Sequence, residues 1–335
     1  MSIEEFLAPK NLIVSGKGGV GKTTISAAVA LVAARHGRKV CIAEVDQKGT
    51  LPRLFGARDM GYEPKELSPG VWGMNIVPED ALAEYLDVQY HMKRISRAFT
   101  SSQFVDYITT AAPGLKDILV LGKIWFLEQG RMGPSASKHH FDTVVVDAPA
   151  AGHMLTFLSA PMGLSDAVRV GPIKRQTDWL VQMLRDPART RVHLVTLAEE
   201  MPVAETLETA HALSQRLQIP AGVTFANAVY SQLLTKKEQA ELDEIIEDGD
   251  PGELFDEGKR AGLTLDDDDL EALVGYASFL DARRAIQKSH LAKLRRGSAE
   301  PVVELPFLFS SGLALPDIET LADAIESNLE MVSSR

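Results

Sequence analysis

Two kinds of apolar run alternate along this chain. Short unbroken stretches, Asn11-Leu12-Ile13-Val14-Ser15, Arg38 to Val45, Phe141 to Asp147, Val192 to Thr196 and Gly222 to Ala226, have the length and β-branched content of strands buried on both faces. Between them lie longer segments in which Ala, Val and Leu recur at helical spacing, the first from Thr23 to Arg35. Gly37 closes that helix as a left-handed cap, and strand, helix and strand in this order imply a right-handed crossover. A further strand is expected from Trp72 to Pro78. Two long helical patterns, Glu79 to Thr110 and Leu115 to Gln129, follow before the sheet resumes. The alternation predicts an α/β fold, a doubly wound and mostly parallel sheet with a helical insertion over residues 79–135 and a helical, acidic segment over 231–296. Within the latter, Glu247 to Glu271 reads as a solvated loop or helix cap. Its aspartate run, Asp266 to Asp269, lacks the spacing and the glycine of an EF-hand loop. No fixed-period repeat or low-complexity linker interrupts the pattern, so residues 1–335 are read as one domain.

Charge and cysteine content narrow the setting. With 35 basic and 46 acidic residues the net charge is −11, which gives no general attraction to nucleic-acid backbones. The single cysteine, Cys41, cannot form an intramolecular disulfide, and a reducing, cytoplasmic compartment is expected. Glu4 and Glu5 stand where a secretory signal would carry basic residues, and no apolar stretch approaches the ~18 to 20 residues that span a bilayer. No direct membrane anchor is expected.

The chemistry is concentrated in Gly16-Lys17-Gly18-Gly19-Val20-Gly21-Lys22-Thr23-Thr24, which fits G-x-x-x-x-G-K-[ST] at every fixed position and lies between an expected strand and an expected helix. Glycines let backbone amides close around phosphate oxygens, and the helix N-terminus adds its positive end. Lys22 supplies charge to the β- and γ-phosphates, and the Thr23 hydroxyl suits Mg²⁺. The cofactors expected are therefore ATP and Mg²⁺, on a fold of the P-loop NTPase type. A dinucleotide-binding loop fits poorly, because the acidic residue and context that it needs do not follow.

Lys17 is not required by an ordinary phosphate loop. KGGVGKTT resembles the deviant loop of the dimeric ATPases that include the MinD and ParA proteins, the nitrogenase iron protein, the arsenite-pump ATPase and the tail-anchored-protein targeting ATPase. The resemblance implies that Lys17 reaches across a subunit interface to the partner's phosphates, as an arginine finger does. Phe141 to Pro161 looks like the arsenite-pump and targeting branch, whose pattern D-T-A-P-T-G-H-T-L-R-F-L is kept at Asp147, Gly152, His153, Leu155, Phe157 and Leu158. Asp147, at a strand end, is then placed to hold a Mg²⁺-bound water, and Gly152 to let the next turn move as a switch. Asp46 matches the family's water-polarising aspartate, although the proline that usually follows it is replaced by Gln47. The Glu205-Thr206 pair resembles the end of a family strand-loop-helix. Asn227 matches an adenine-contacting asparagine, and Pro306 and Phe307 resemble the loop that covers the adenine.

The same resemblance marks what is missing. Ala277 and Leu280 stand where the targeting ATPase has its zinc-binding cysteine pair, and one cysteine cannot build the thiolate site that trivalent arsenic needs. With one phosphate loop the chain is expected to pair with a second copy or a related ATPase, and to couple ATP-driven closure to a hydrophobic protein client or membrane-protein partner. Between Tyr85 and Met132, apolar residues including Tyr90, Met92, Ile95, Phe99, Phe104, Ile108, Leu115, Ile118, Leu119, Leu121, Ile124, Trp125 and Phe126 would either form a client groove or simply pack a helical layer on the sheet. Two other readings remain at this level: a ParA- or MinD-like positioning ATPase, and a nucleotide-binding scaffold with little turnover. The first would need a basic patch, for which Lys288, Lys293, Arg295 and Arg296 are the candidates, or a basic amphipathic C-terminal helix, whereas Asp317 to Arg335 is acidic on balance.

Overall fold

The computed structural model describes residues 1–45, 49–90, 114–130, 140–248 and 252–333. Its described strands form an eight-stranded sheet: β1 (Asn11–Gly16), β2 (Val40–Glu44), β3 (Lys65–Ser68), β4 (Val71–Asn75), β5 (Thr143–Ala150), β6 (Thr190–Leu197), β7 (Ala221–Val229) and β8 (Val302–Pro306). The order is β3-β4-β2-β5-β1-β6-β7-β8, and every pairing is parallel except that of the edge strand β3 with β4. This is the α/β fold of P-loop NTPases. The carboxyl ends of β1, β5, β6 and β7 share one edge of the sheet, where doubly wound folds place their ligands.

Side chains alternate between the two faces, so a single strand feeds both cores. Leu12 and Val14 of β1 pack in one cluster with Phe6 of α1 (Ile3–Leu7), Ile25 and Val29 of α2 (Lys22–Arg35), Leu54 of α3 (Leu51–Leu54) and Ile318, Leu321 and Ile325 of α12 (Leu315–Ser333). Ile13 faces the other way, toward α5 (Leu115–Glu128), α6 (Ala151–Ala167) and α7 (Pro172–Arg185). Because α12 spends its apolar face on α2, that face is not available to lie on a membrane. No helix among the described residues is long and apolar enough to cross one.

Several expected boundaries shift, each for a local reason. The strand expected from Trp72 ends at Asn75, because Pro78 opens α4 (Pro78–Tyr90), a position where a missing amide hydrogen costs nothing. The pattern expected to run on to Thr110 leaves the described residues after Tyr90. β3, a four-residue edge strand with its first two residues exposed, carries no hydrophobic alternation to announce it. Part of Glu247 to Glu271 is helical rather than a loop, as α10 (Gly252–Arg260), and follows α9 (Lys236–Asp248). The aspartate run is a cap: Asp266 accepts from the Asp269 amide, and Asp267 to Asp269 form the first turn of α11 (Asp267–Gly297), where the helix dipole favours acidic groups.

Candidate functional site

β1 delivers the phosphate loop, and two of its glycines are fixed by close approach. A Cβ on Gly16 would lie 2.1 Å from the Val195 carbonyl oxygen of β6, and Gly21, at φ 93°, would place one 2.4 Å from Asn227 Nδ2. Lys22, the first residue of α2, is buried and donates to the Lys17 carbonyl at 3.3 Å. The next residue, Thr23, donates its hydroxyl to Asp147 Oδ2 at 2.6 Å, and Ser26, about one turn on, donates its hydroxyl to Asp147 Oδ1 at 3.2 Å. Asp147 and Thr23, distant in sequence, are thus one cluster of hard oxygen donors beside the loop. The Ser15 hydroxyl, donating to the Pro149 carbonyl at 2.7 Å, ties β1 to the turn that follows Asp147. Asp46 lies outside the described residues.

Lys17 points to its own chain. Its ammonium meets Glu205 Oε1 at 2.5 Å, with both side chains more than a third exposed. Glu205 is on α8 (Glu200–Ala212), the helix that follows β6, so the strand order itself brings this carboxylate beside the loop.

On the other side of the loop, Asn227 Nδ2 donates to the Val20 carbonyl at 2.9 Å. This residue, matched in the sequence to a base contact, therefore touches the phosphate loop directly. Ala228 follows in the left-handed region at φ 55°, one of two non-glycine residues with positive φ among those described. Gln287 of α11 bridges the strand end: its Nε2 donates to the Ala228 carbonyl at 2.9 Å and its Oε1 accepts from the Tyr230 amide at 2.8 Å. Phe307 stacks on Tyr230 with ring centroids 4.8 Å apart, and its amide donates to the Val229 carbonyl. Pro306, the last residue of β8, sits against Val229. Sequence reasoning assigned no role to Gln287, because an isolated glutamine on a polar helix carries no signal.

A model of the anion-transporting ATPases matches residues 9–182. The chain belongs to this family. Among its relatives, the ATPase BagA of Mycobacterium tuberculosis is 32% identical over 327 residues, covering 93% of this chain and 91% of the relative. The arsenical pump-driving ATPase of Escherichia coli is 26% identical over 223 residues, 62% of this chain, and that of Acidiphilium multivorum matches to the same extent. The chain matches only 37% of the length of either pump ATPase. Family membership makes the chain an ATP hydrolase.

Residues of α4, α5, α6 and α7 line a largely apolar, open cavity of about 900 Å³. Of the residues expected to form a client groove, Leu115, Ile118, Leu119, Trp125 and Phe126 line it, together with Tyr85, whereas Leu121 and Ile124 are fully buried in the sheet core. Met92, Ile95, Phe99, Phe104, Ile108 and Met132 lie outside the described residues. The cavity wall includes a buried ion pair, Lys123 Nζ to Glu84 Oε2 at 2.6 Å, and Tyr62 donates to the same oxygen at 2.5 Å. Burial and the Glu84 carboxylate hold the Tyr62 hydroxyl well above the usual range. Asp117, at the start of α5 and also on the wall, is raised by burial and partly lowered by the charge of His153 on α6.

Proposed function

We propose that this family member is a Mg²⁺-dependent, cytoplasmic ATPase that works as a dimer, of two copies or with a related chain, and couples ATP-driven closure to binding a hydrophobic protein segment. The observation that carries the reading is the convergence of Lys22, Thr23 and Asp147 at one edge of the sheet, with Lys17 beside them. Hydroxyl and carboxylate oxygens are donors that suit Mg²⁺, so the residues present fit the ion. When bound, Mg²⁺ would neutralise charge shared by the β- and γ-phosphates. The loop amides and Lys22 would hold the phosphates, Thr23 and Asp147 would hold the ion, and Asp46 would orient the attacking water. Lys17 would leave Glu205 to reach the partner's phosphates.

Arsenite as the cargo, suggested by the names of the pump relatives, is not favoured here. Cys41 is the chain's one cysteine, and burial pushes its thiol up to about 12, far from the thiolate that soft-metal ligation uses. An apolar client is favoured instead by the cavity, whose walls are largely aromatic and aliphatic. Nucleic acid is not expected as a partner. Arg295, in the basic cluster of α11, is already paired with Glu304 of β8.

Mixing two inactive variants tests the dimer. Lys17→Ala and Asp46→Asn subunits are each expected to hydrolyse ATP poorly. A mixed dimer has one site with both defects and one with neither, so mixing should restore part of the activity. No recovery, with subunit exchange confirmed, would overturn the trans role of Lys17.

A further inference from the structure

We infer that Gln287, on the long helix α11, is a positioning residue for the nucleotide site, acting through a bulge at the end of β7. The inference rests on the reading of the phosphate loop as the ATP site and adds a part that neither the motif nor the family assignment supplies.

The β7–β8 register slips between Ala226, which faces Glu304, and Val229, which faces Pro306. Asn227 and Ala228 therefore oppose a single residue of β8, the arrangement of a bulge, which turns a side chain out of its ordinary alternation. Here the side chain that changes face is Val229, which joins Ala226 in one cluster, and the bulge follows directly on Asn227, which keeps the face of Val223 and Phe225 and meets the Val20 carbonyl at 2.9 Å, two residues before Lys22. The bulge needs Ala228 at φ 55°, a conformation that residues with a Cβ disfavour. Something must hold it there. Where the ladder is interrupted, Gln287 supplies both missing partners: a donor for the Ala228 carbonyl and an acceptor for the Tyr230 amide. Its side chain is nearly inaccessible, at 8% exposure, so neither bond is easily replaced by water. Arg283, one turn earlier on α11, lies over the Tyr230 ring at 5.9 Å and braces the same segment. The physical chain runs from α11 through Gln287 and Ala228 to Asn227 and the phosphate loop.

The role predicts a particular split in the kinetics. The hydrogen bonds of Gln287 go to the end of β7, so losing it should loosen the loop's hold on nucleotide and leave the chemical step largely alone. Gln287→Ala is expected to weaken MgATP binding about tenfold by calorimetric titration, and to raise KM by a similar factor with kcat changed less than about twofold. Gln287→Glu, which keeps the shape and the acceptor for Tyr230 but loses the donor, should shift binding in the same direction and serves if the alanine variant does not fold. Ala228→Gly supplies the decisive arm: glycine adopts positive φ without strain, so adding it to Gln287→Ala should return most of the lost affinity. A purely structural glutamine would lower the melting temperature without moving KM well below it, and glycine at 228 would not restore binding.

Parent-like MgATP affinity in the folded Gln287 variants overturns the inference, as does weakened binding that Ala228→Gly leaves uncorrected. If the parent itself fails to bind MgATP, or Lys22→Ala binds as tightly as the parent, the phosphate-loop reading fails and the inference falls with it. These results distinguish the two failures.

Discussion

His193 shows what one residue can cost in a sheet core. It stands on β6 with its ring between Phe6 and Phe225, centroids 4.9 and 5.9 Å away, and Gly222 leaves it room, since a Cβ there would lie 2.5 Å from the imidazole Cε1. Burial pushes its pKa from 6.5 down to about 3; a backbone contact at Val223 opposes this, and the charge of Arg191 adds to it. The unfolded chain therefore takes up a proton near pH 6.5 that the folded chain refuses until about pH 3. Stability contributed by neutral His193 is full above pH 6.5 and falls as the pH drops toward 3, by at most ~1.4 kcal/mol per pH unit. Urea midpoints measured from pH 7.5 to 5 should fall more steeply for the parent than for His193→Leu, by about one proton's worth of slope. Equal slopes would mean that His193 titrates as an exposed histidine does.

Element by element, legibility followed how much of a feature's cause lies in consecutive residues. β1, β2, β5, β6 and β7 were visible because each is a buried apolar run, and the phosphate loop because its chemistry needs neighbouring residues. β3 was not, being charged and exposed, and neither was the polar anchor of α5. Lys123, between Gly122 and Ile124, reads as a solvent position, yet it is 3% exposed and paired with Glu84 of α4, with its ammonium over the Tyr62 ring at 4.5 Å. Only the tertiary contact gives such a lysine its meaning. At the carboxyl end of α5, Arg189 grips Glu128 with two hydrogen bonds of 2.9 and 2.8 Å, so charge pins the helix in its second half and at its last residue. Removing one member of a buried pair strands the other, so Lys123→Ala should cost ~3 to 5 kcal/mol. Replacing both, as Lys123→Met with Glu84→Gln, should recover much of that loss, because desolvation of the pair disappears with its attraction. Thermal or denaturant unfolding of the two variants gives the comparison; equal losses would show that Lys123 contributes by packing alone.

At the scale of the whole molecule, α6 joins the sheet edge that carries the phosphate loop to the cavity. It begins at Ala151, directly after β5, carries Gly152 and His153 in its first turn, and presents Thr156, Ala160, Gly163 and Leu164 to the cavity. Thr156 and Ala160 precede the helix's interior proline, Pro161, so a shift of the first turns, beside the phosphate loop, carries that part of the wall with it. The opposite wall carries a reporter, Trp125 of α5, stacked on Trp179 of α7 at 5.3 Å and 6°. If the cavity opens to an apolar client as nucleotide binds, the stack and the protection of α5 and α6 must change together. MgATP added to Asp46→Asn, chosen to bind without turnover, should alter tryptophan emission and raise binding of a hydrophobic dye relative to nucleotide-free protein. Hydrogen exchange over residues 115–128 and 151–167 should shift in the same comparison. Trp179→Phe should remove most of the emission change while leaving MgATP affinity intact, and Lys22→Ala should show neither change. The alternative is that these apolar residues only pack a helical layer onto the sheet, which is already the role of Leu121 and Ile124. In that case emission, dye binding and exchange would be the same with and without MgATP, and the proposed coupling of hydrolysis to an apolar client through this cavity would fail even if the phosphate loop binds and hydrolyses ATP as expected.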